Sequence, residues 1–404
     1  MLYGGPSQGE VLTAQRGFSR WIWFAAASIR RQAHRPMSAS LSVVICSLNG
    51  AAGVDRCLQA LESQTIRSQL ELVVVDDGST DATSEVARNH GTLLVRHDAC
   101  RGLSAARNSG IRIASAPVIA FLDDDCEPEP DWAEQLLSSY QADVLALGGA
   151  LVGQEPTSFM LGYLHRHNPL APLELELAAS HNRLYRLWLY VKGQWSPSAA
   201  AGRRPVFSFA GGNMAVRREA LIDIGGFDER IRFGGDDDDL FLRLSRARPG
   251  SPLIFDPAVR VLHHFEPSLR DTVRRSRMYG RGRALLYRKW PSTGFAVFPY
   301  PLAVLVTLLL SGWLPVLAIV AVALPQLCYP LGIRAAVANR DARCLLDPYV
   351  QLAQEAYGNV GFIQGLWRFR HLSRVLPPGT ARDVDPNWES RPPPGPRLGE
   401  PTLP

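Results

Sequence analysis

Short apolar runs alternate with segments of helical apolar spacing from residue 41 to about residue 149. Residues 41–46, 70–75, 92–95 and 118–122 predict strands, and the apolar stretch 144–147 follows them. Residues 54–64, 81–89, 103–115 and 131–140 predict helices; in the first, Val54, Leu58 and Leu61 share one face. Strands separated by helices of this length imply an α/β class, with a mostly parallel sheet and helices on both faces.

The rhythm is lost over residues 151–206, which are rich in aromatics and histidine, including Tyr163, His165, His167, Tyr185, Trp188, Tyr190 and Trp195. A solvent-facing excursion or an insert leaning on a membrane is expected there. Regular patterning returns from Phe207 to Leu244. Residues 270–289 are strongly basic, and residues 295–333 are nearly free of charge. That apolar length suits a membrane hairpin of two short passes, or one tilted pass with an interfacial segment. Basic residues on both sides predict that both ends are cytosolic. A buried apolar helical pair is the alternative. From Pro377 the chain is Pro-rich and polar, which predicts disorder.

Composition adds little. Of 43 Lys and Arg residues only Lys192 and Lys289 are lysines, and a net charge of +5 does not imply nucleic acid. The six cysteines show no CxxC or CxxH spacing, so a zinc site is not expected. Cys46 and Cys126 fall on or beside predicted strands, as free buried thiols in a reducing, cytosolic catalytic region. The apolar stretch 21–27 is too short to span a bilayer.

The chemistry concentrates at strand ends. Residues 118–122 run into Asp123-Asp124-Asp125. Three adjacent carboxylates repel one another unless a cation or a solvated cleft lies there. Open α/β sheets bind ligands beyond the carboxyl ends of their strands. Cys46, Ser47 and Asn49 end the first strand, and Asp76 and Asp77 end the second, so together they outline a ligand crevice. Helix capping accounts for Ser79 and Asp81 but leaves Asp77 for ligand contact. Arg107, with Asn108 beside it, could meet a diphosphate. A second cluster, Asp236-Asp237-Asp238-Asp239, opens a helical pattern; part of it serves the helix dipole, and one carboxylate could deprotonate an acceptor hydroxyl. Gly211, Gly212 and Asn213 offer flexible backbone and an amide to a sugar or acceptor. His263 could complete a metal shell or bind phosphate; a surface histidine pair, His263-His264, is the bland alternative.

Taken in order, Val43–Asn49, Asp76–Asp81, Ala106-Arg107-Asn108, Phe121–Asp125, Gly211-Gly212-Asn213 with Gly225–Asp228, and Gly235–Leu240 resemble the family 2 glycosyltransferases of GT-A fold. The resemblance covers residues 42–269. It implies a Rossmann-like GT-A domain with a nucleotide-sugar-binding half over 38–150 and an acceptor-binding half over 151–268. It implies that Asp77 binds the base, that Asp123 and Asp125 form a DxD-type site with Asp124 between them, and that Asp125 ligates Mg2+ or Mn2+. It also implies that Asp237 is the catalytic base, with Asp236 in support where a Glu is usual. Cys46 and Leu48 depart from the family pattern and leave the nucleotide open.

The downstream stretch is similar to bacterial family 2 enzymes with a C-terminal membrane segment. Some of these modify glycolipids, exopolysaccharide precursors or peptide-derived redox cofactors such as mycofactocin. The Gln-x-x-Arg-Trp motif of processive synthases is absent after Asp237. The expected protein is an inverting, metal-dependent, non-processive glycosyltransferase. It would use a UDP-, GDP- or dTDP-sugar and a hydroxyl acceptor, possibly lipid-linked, on the cytoplasmic side of the cell membrane. Its further expected parts are a leader over 1–37, a basic juxtamembrane segment over 269–290, a membrane segment over 291–335, a helical segment over 336–375 and a tail over 376–404. A nucleotidyltransferase would need a Gly-rich phosphate loop that Ser47–Gly50 does not supply. A non-catalytic nucleotide-sugar-binding membrane protein is the remaining alternative.

Overall fold

A computed structural model describes residues 39–176, 182–196, 202–232, 234–290 and 297–371 of the 404-residue chain. The leader over 1–37 and the tail over 376–404 lie outside the described residues.

The first strands are β1 (Leu41–Ser47), β2 (Leu70–Asp76), β3 (Leu93–Arg96), β4 (Val118–Asp123) and β5 (Cys126–Pro128). β6 (Ala146–Gly153), β7 (Arg204–Pro205), β8 (Asn213–Arg217) and β9 (Leu253–His263) follow. They form one sheet of order β3-β2-β1-β4-β8-β6-β9-β5, with β7 beside β9. Pairings among β3, β2, β1 and β4 are parallel, as the alternating pattern predicts. The other half is mixed: β8 runs antiparallel to β4 and β6, and β5 and β7 antiparallel to β9, while β6 and β9 are parallel. Strand direction after a long excursion leaves no trace in apolar periodicity.

The early helices are α1 (Ala51–Glu62), α2 (Thr83–Asn89), α3 (Leu103–Ile113) and α4 (Trp132–Ser139). α1 buries Val54, Cys57, Leu58 and Leu61 against one sheet face. α3 packs on the other, where a Cβ on Gly110 would lie 2.3 Å from Val44 Cγ1. Such closeness requires small residues, and Ala105, Ala106, Ser109 and Gly110 supply them.

The excursion over 151–206 carries α5 (Phe159–Arg166) and α6 (Arg183–Trp195); α7 (Arg218–Asp223), α8 (Asp236–Ala247) and α9 (Leu269–Lys289) come next. α10 (Pro299–Leu310), α11 (Val316–Cys328), α12 (Leu331–Asn339) and α13 (Asp347–Arg368) complete the described chain. α5 and α6 dock on α13. Arg166 donates Nε and Nη2 to Asp347 at 2.8 Å each, and Tyr190 donates to Glu355 at 2.6 Å. The excursion is therefore anchored to the C-terminal helix rather than simply facing solvent.

The basic segment is α9 itself, crossing α13 so closely that a Cβ on Gly280 would meet Gly358 O at 2.1 Å. Among the described residues, no single helix is long and apolar enough to cross a membrane. α11 and α12 together reach the required length but bend by 69°.

Candidate active site

Strand register gathers the chemistry at one edge. Ser47 pairs with Asp76, and Cys46 with both Val75 and Asp123. β8 runs the opposite way beside β4, pairing Leu122 with Asn213, which brings Gly211-Gly212 up to Asp123. β9 ends with His263 opposite Cys126, next to Asp125. Carboxylates more than 100 residues apart in the chain thus converge.

Arg107 joins the two acidic clusters. Its buried guanidinium donates Nη1 to Asp236 at 2.5 Å and Nη2 to Asp123 at 3.1 Å. Its Cζ lies 6.0 Å from the centroid of the Phe121 ring and 5.4 Å from that of the Phe227 ring. Burial opposes its charge, but Asp236 and Asp123 hold it protonated. Gly211 and Gly212 leave the room this needs: a Cβ on Gly211 would lie 2.6 Å from Arg107 Nη2, and one on Gly212 would lie 2.7 Å from Asp123 Oδ2.

The four acids of α8 divide their roles. Asp236 is buried on Arg107. Asp239 is fully buried and anchors the helix, accepting from Trp290 Nε1 at 2.8 Å and Arg243 Nε at 2.9 Å, with Lys289 Nζ at 2.7 Å. Asp237 remains half-buried at the helix start. It accepts from Gly211 N–H at 3.2 Å and from Asp238 N–H at 2.9 Å. Burial, then Asp238 and Asp236, push its carboxyl well above the usual range, giving it the proton affinity of a base.

In the other cluster, Asp124 accepts from Ser47 Oγ at 2.5 Å. Burial and its acidic neighbours push Asp124 up to about 7 and Asp125 up to about 6. Asp125 Oδ1 lies 3.4 Å from His263 Nε2. Burial lowers His263 to about 4, so its imidazole is neutral, and its buried Nδ1 has no hydrogen-bond partner. Ligand atoms of Asp125, Cys126 and His263 lie within 4.8 Å of one another. The carboxylate oxygen suits Mg2+ or Mn2+, and the neutral imidazole nitrogen suits Mn2+ better than the harder Mg2+. Cys126 suits them less, because a soft sulfur ligand prefers softer metals.

Several residues expected at the ligand also make hydrogen bonds within the chain. Asp76 is fully buried, accepting from Ser79 N–H at 2.7 Å and from the Ser84 hydroxyl, and so holds its own turn. Asn108 clamps Phe227, donating to its carbonyl at 3.0 Å and accepting from its N–H at 2.8 Å. Asn213 faces the core: it accepts from Trp132 Nε1 at 3.0 Å and donates to the carbonyls of Ala150 and Val259 at 3.1 and 2.9 Å. Asn49, at φ 57°, receives Thr80 N–H at 2.8 Å and shapes the loop after β1. Asp77 is also saturated from within, by His97 Nδ1 at 2.7 Å, Arg101 N–H and Gly102 N–H at 2.8 Å, and Cys100 Sγ at 3.3 Å.

Two residues of α9 join the cluster unannounced. Arg275, held by Asp271 at 2.6 Å, places a positive charge beside Asp125. Tyr279 packs on Gly234, and its phenol is pushed up to about 12 by burial, with Asp123 and Asp237 adding to the rise. In the sequence they are lost within a run of arginines that reads as a lipid-facing segment.

Residues 42–225 match the family model described as Glycosyl transferase family 2. The chain is 30% identical over 265 residues to the pre-mycofactocin glycosyltransferase of Mycobacterium tuberculosis (strain ATCC 25618 / H37Rv), covering 63% of this chain and 49% of that protein. It is 39% identical over 203 residues to glycosyltransferase AglE of Haloferax volcanii, covering 48% of this chain and 58% of that one. The chain thus spans about half the length of the curated relatives it matches. Its fold is similar to that of the mannosyltransferase PcManGT from Pyrobaculum calidifontis, solved in complex with GDP-Man and Mn2+. The TM-score is 0.52 at 19% identity, over 89% of this chain and 97% of the other.

Proposed function

We infer that this chain, whose residues 42–225 match the family 2 glycosyltransferase model, is such an enzyme and moves a sugar from a nucleoside-diphosphate donor to an acceptor hydroxyl with inversion. The observation that carries the reading is Asp237. It is a half-buried carboxylate of raised proton affinity, fixed by two backbone N–H groups and tied through Asp236 and Arg107 to Asp123 of the other cluster.

In this reading Asp237 takes the acceptor hydroxyl proton as the oxygen bonds to the anomeric carbon. The bond from that carbon to the diphosphate breaks, and the diphosphate leaves with the electron pair. Asp125 and His263 would hold Mg2+ or Mn2+ beside Asp123, and the ion supplies Lewis-acid charge for the leaving group. Arg275 adds a fixed cation on the same side. The charge-free stretch 297–333 supports a membrane-proximal acceptor, and its basic flanks, Arg288-Lys289 and Arg334, Arg340 and Arg343, support a catalytic domain on the cytoplasmic side of the cell membrane.

A donor-hydrolysis screen over UDP-, GDP- and dTDP-sugars with Mn2+ tests the reading, followed by Asp237→Asn on the active donor. We expect one nucleotide class to dominate. The variant should lose about 10²–10⁴ in turnover and keep nucleotide binding. Wild-type turnover by Asp237→Asn removes Asp237 from the role of base.

A further inference from the structure

We propose that α10 and α11 form a wedge that enters one leaflet of an anionic lipid bilayer without crossing it, with α6 as an aromatic collar at the lipid–water boundary. Length sets the depth. α10 has 12 residues and α11 has 13, so each runs about 18–20 Å at 1.5 Å per residue. The hydrocarbon core is about 30 Å thick, so neither helix spans it, yet each is longer than half of it.

The surface of the pair suits lipid. α10 buries only Val304, and α11 only Ala321, Pro325 and Cys328. A helix apolar on all sides belongs in a core or in hydrocarbon, and no described element covers the exposed Leu305, Leu309, Ile319 and Val322. Trp313, at the tip between the helices, is 91% exposed.

The backbone of the tip is also satisfied internally, as hydrocarbon requires. Ser311, Trp313 and Leu314 donate their N–H groups to carbonyls of the last turn of α10 at 3.0–3.2 Å, and Ala318 donates to Pro315 at 3.0 Å. The hydroxyls of Thr307 and Ser311 turn back onto the carbonyls of Ala303 and Leu308 at 2.9 and 2.6 Å.

α6 supplies the boundary. Its inner face is held on α13 by Tyr190 and by Gln194, whose Oε1 accepts from Gln351 at 2.8 Å. Leu184, Tyr185, Trp188, Lys192 and Trp195 recur on the outer face and are exposed. Lys192 Nζ sits 5.0 Å over the Trp188 ring. Amphipathic aromatics with lysine are the side chains that settle at headgroup depth.

The charge is complementary to an anionic surface. Arg334 donates to Trp195 O at 2.7 Å, joining α12 to the collar, and Arg340 and Arg343 are exposed just beyond. Asp341 is the one acidic residue from 297 to 346, and Arg343 pairs with it. Phosphatidylglycerol-type headgroups meet the collar where the wedge enters.

The test uses the full chain with vesicles of phosphatidylcholine, with and without phosphatidylglycerol. Wild-type protein should float with the anionic vesicles. Trp313→Asp and Ile319→Asp should each weaken partition about a hundredfold; both sites are exposed, and circular dichroism checks folding. Comparing wild type with Trp313→Phe isolates the Trp313 signal. Bromines on the acyl chains should quench it, and iodide trapped inside the vesicles should not.

Partition unchanged by both aspartates overturns the wedge. Quenching by trapped iodide overturns the single-leaflet depth. A lipid-free dimer dissolved by Trp313→Asp assigns the face to a second copy instead. None of these readings uses a donor sugar, so their failure is separate from failure of the transferase reading.

Discussion

Replacing Arg107 by Met tests whether the two acidic clusters are one electrostatic unit. Met fills much of the same volume between Phe121 and Phe227 but carries no charge. Asp236 then keeps a buried carboxylate with no cation, whereas Asp123 is partly open to water and loses little. Breaking a buried pair from one side costs about 3–5 kcal/mol, and nearly all of it here falls on Asp236. The cost depends on pH in a defined direction. Burial already raises the Asp236 carboxyl, and losing Arg107, the largest opposing influence, raises it further. A raised folded-state pKa means that ionisation above the unfolded value destabilises the fold. The penalty should therefore be full at neutral pH and shrink as pH falls toward 5, when Asp236 takes up a proton. Urea unfolding of wild type, Arg107→Met, Asp236→Asn and the double variant at both pH values measures it. The double variant should recover at least half of the loss from Arg107→Met. A loss below about 1 kcal/mol at pH 7, or purely additive single effects, refutes the coupling.

Further outcomes follow from the same geometry. Mn2+ at a hundredfold excess over its Kd should raise the melting temperature by about 3–4 °C; Asp125→Asn and His263→Ala should each weaken that shift at least about tenfold in Mn2+ concentration. Asn213→Ala should cost about 2–4 kcal/mol in urea unfolding, since it strands the Trp132 indole N–H and two carbonyls; a changed acceptor KM at wild-type stability would return Asn213 to the acceptor site. Gly212→Ala drives a methyl group onto Asp123 Oδ2, so nucleotide binding should fall while stability drops by only about 1–3 kcal/mol.

The strands were legible where burial and local pattern agree. β1, β2 and β4 are nearly continuous apolar runs because helices cover both of their faces, and the buried Ser42 of β1 and Glu71 of β2 that interrupt them hydrogen-bond each other. The acidic clusters were legible because the helix dipole accounts for only part of three or four adjacent carboxylates. Which carboxylate is free was not, since that depends on partners far along the chain. Asp76 and Asp77 are adjacent, yet one meets Ser84 while the other closes the loop at Arg101-Gly102. Asn213 follows two glycines and reads as a loop amide, but β8 turns it into the core. Arg275 and Tyr279 were hidden for the opposite reason: in a helix of many arginines, composition cannot say which turn faces the acids.

Among the described residues, close contacts run from the loop that presents Asp237 through α9 and α13 to the start of α10. On one side, a Cβ on Gly282 would meet Gly234 O at 2.1 Å, so α9 rests directly on the loop that presents Asp237. On the other, a Cβ on Gly361 would meet Arg277 O at 2.0 Å, so α13 rests equally closely on α9. Asn359 of α13 then fixes the start of α10, accepting from Phe298 N–H at 2.7 Å and donating to Phe298 O at 2.9 Å. Each link is backbone against backbone or a reciprocal amide pair, and such links leave little room for sliding. The separation between Asp237 and the hairpin is therefore a fixed dimension of the fold. In the membrane-proximal reading proposed above, that dimension would set the height of the acceptor hydroxyl above the bilayer.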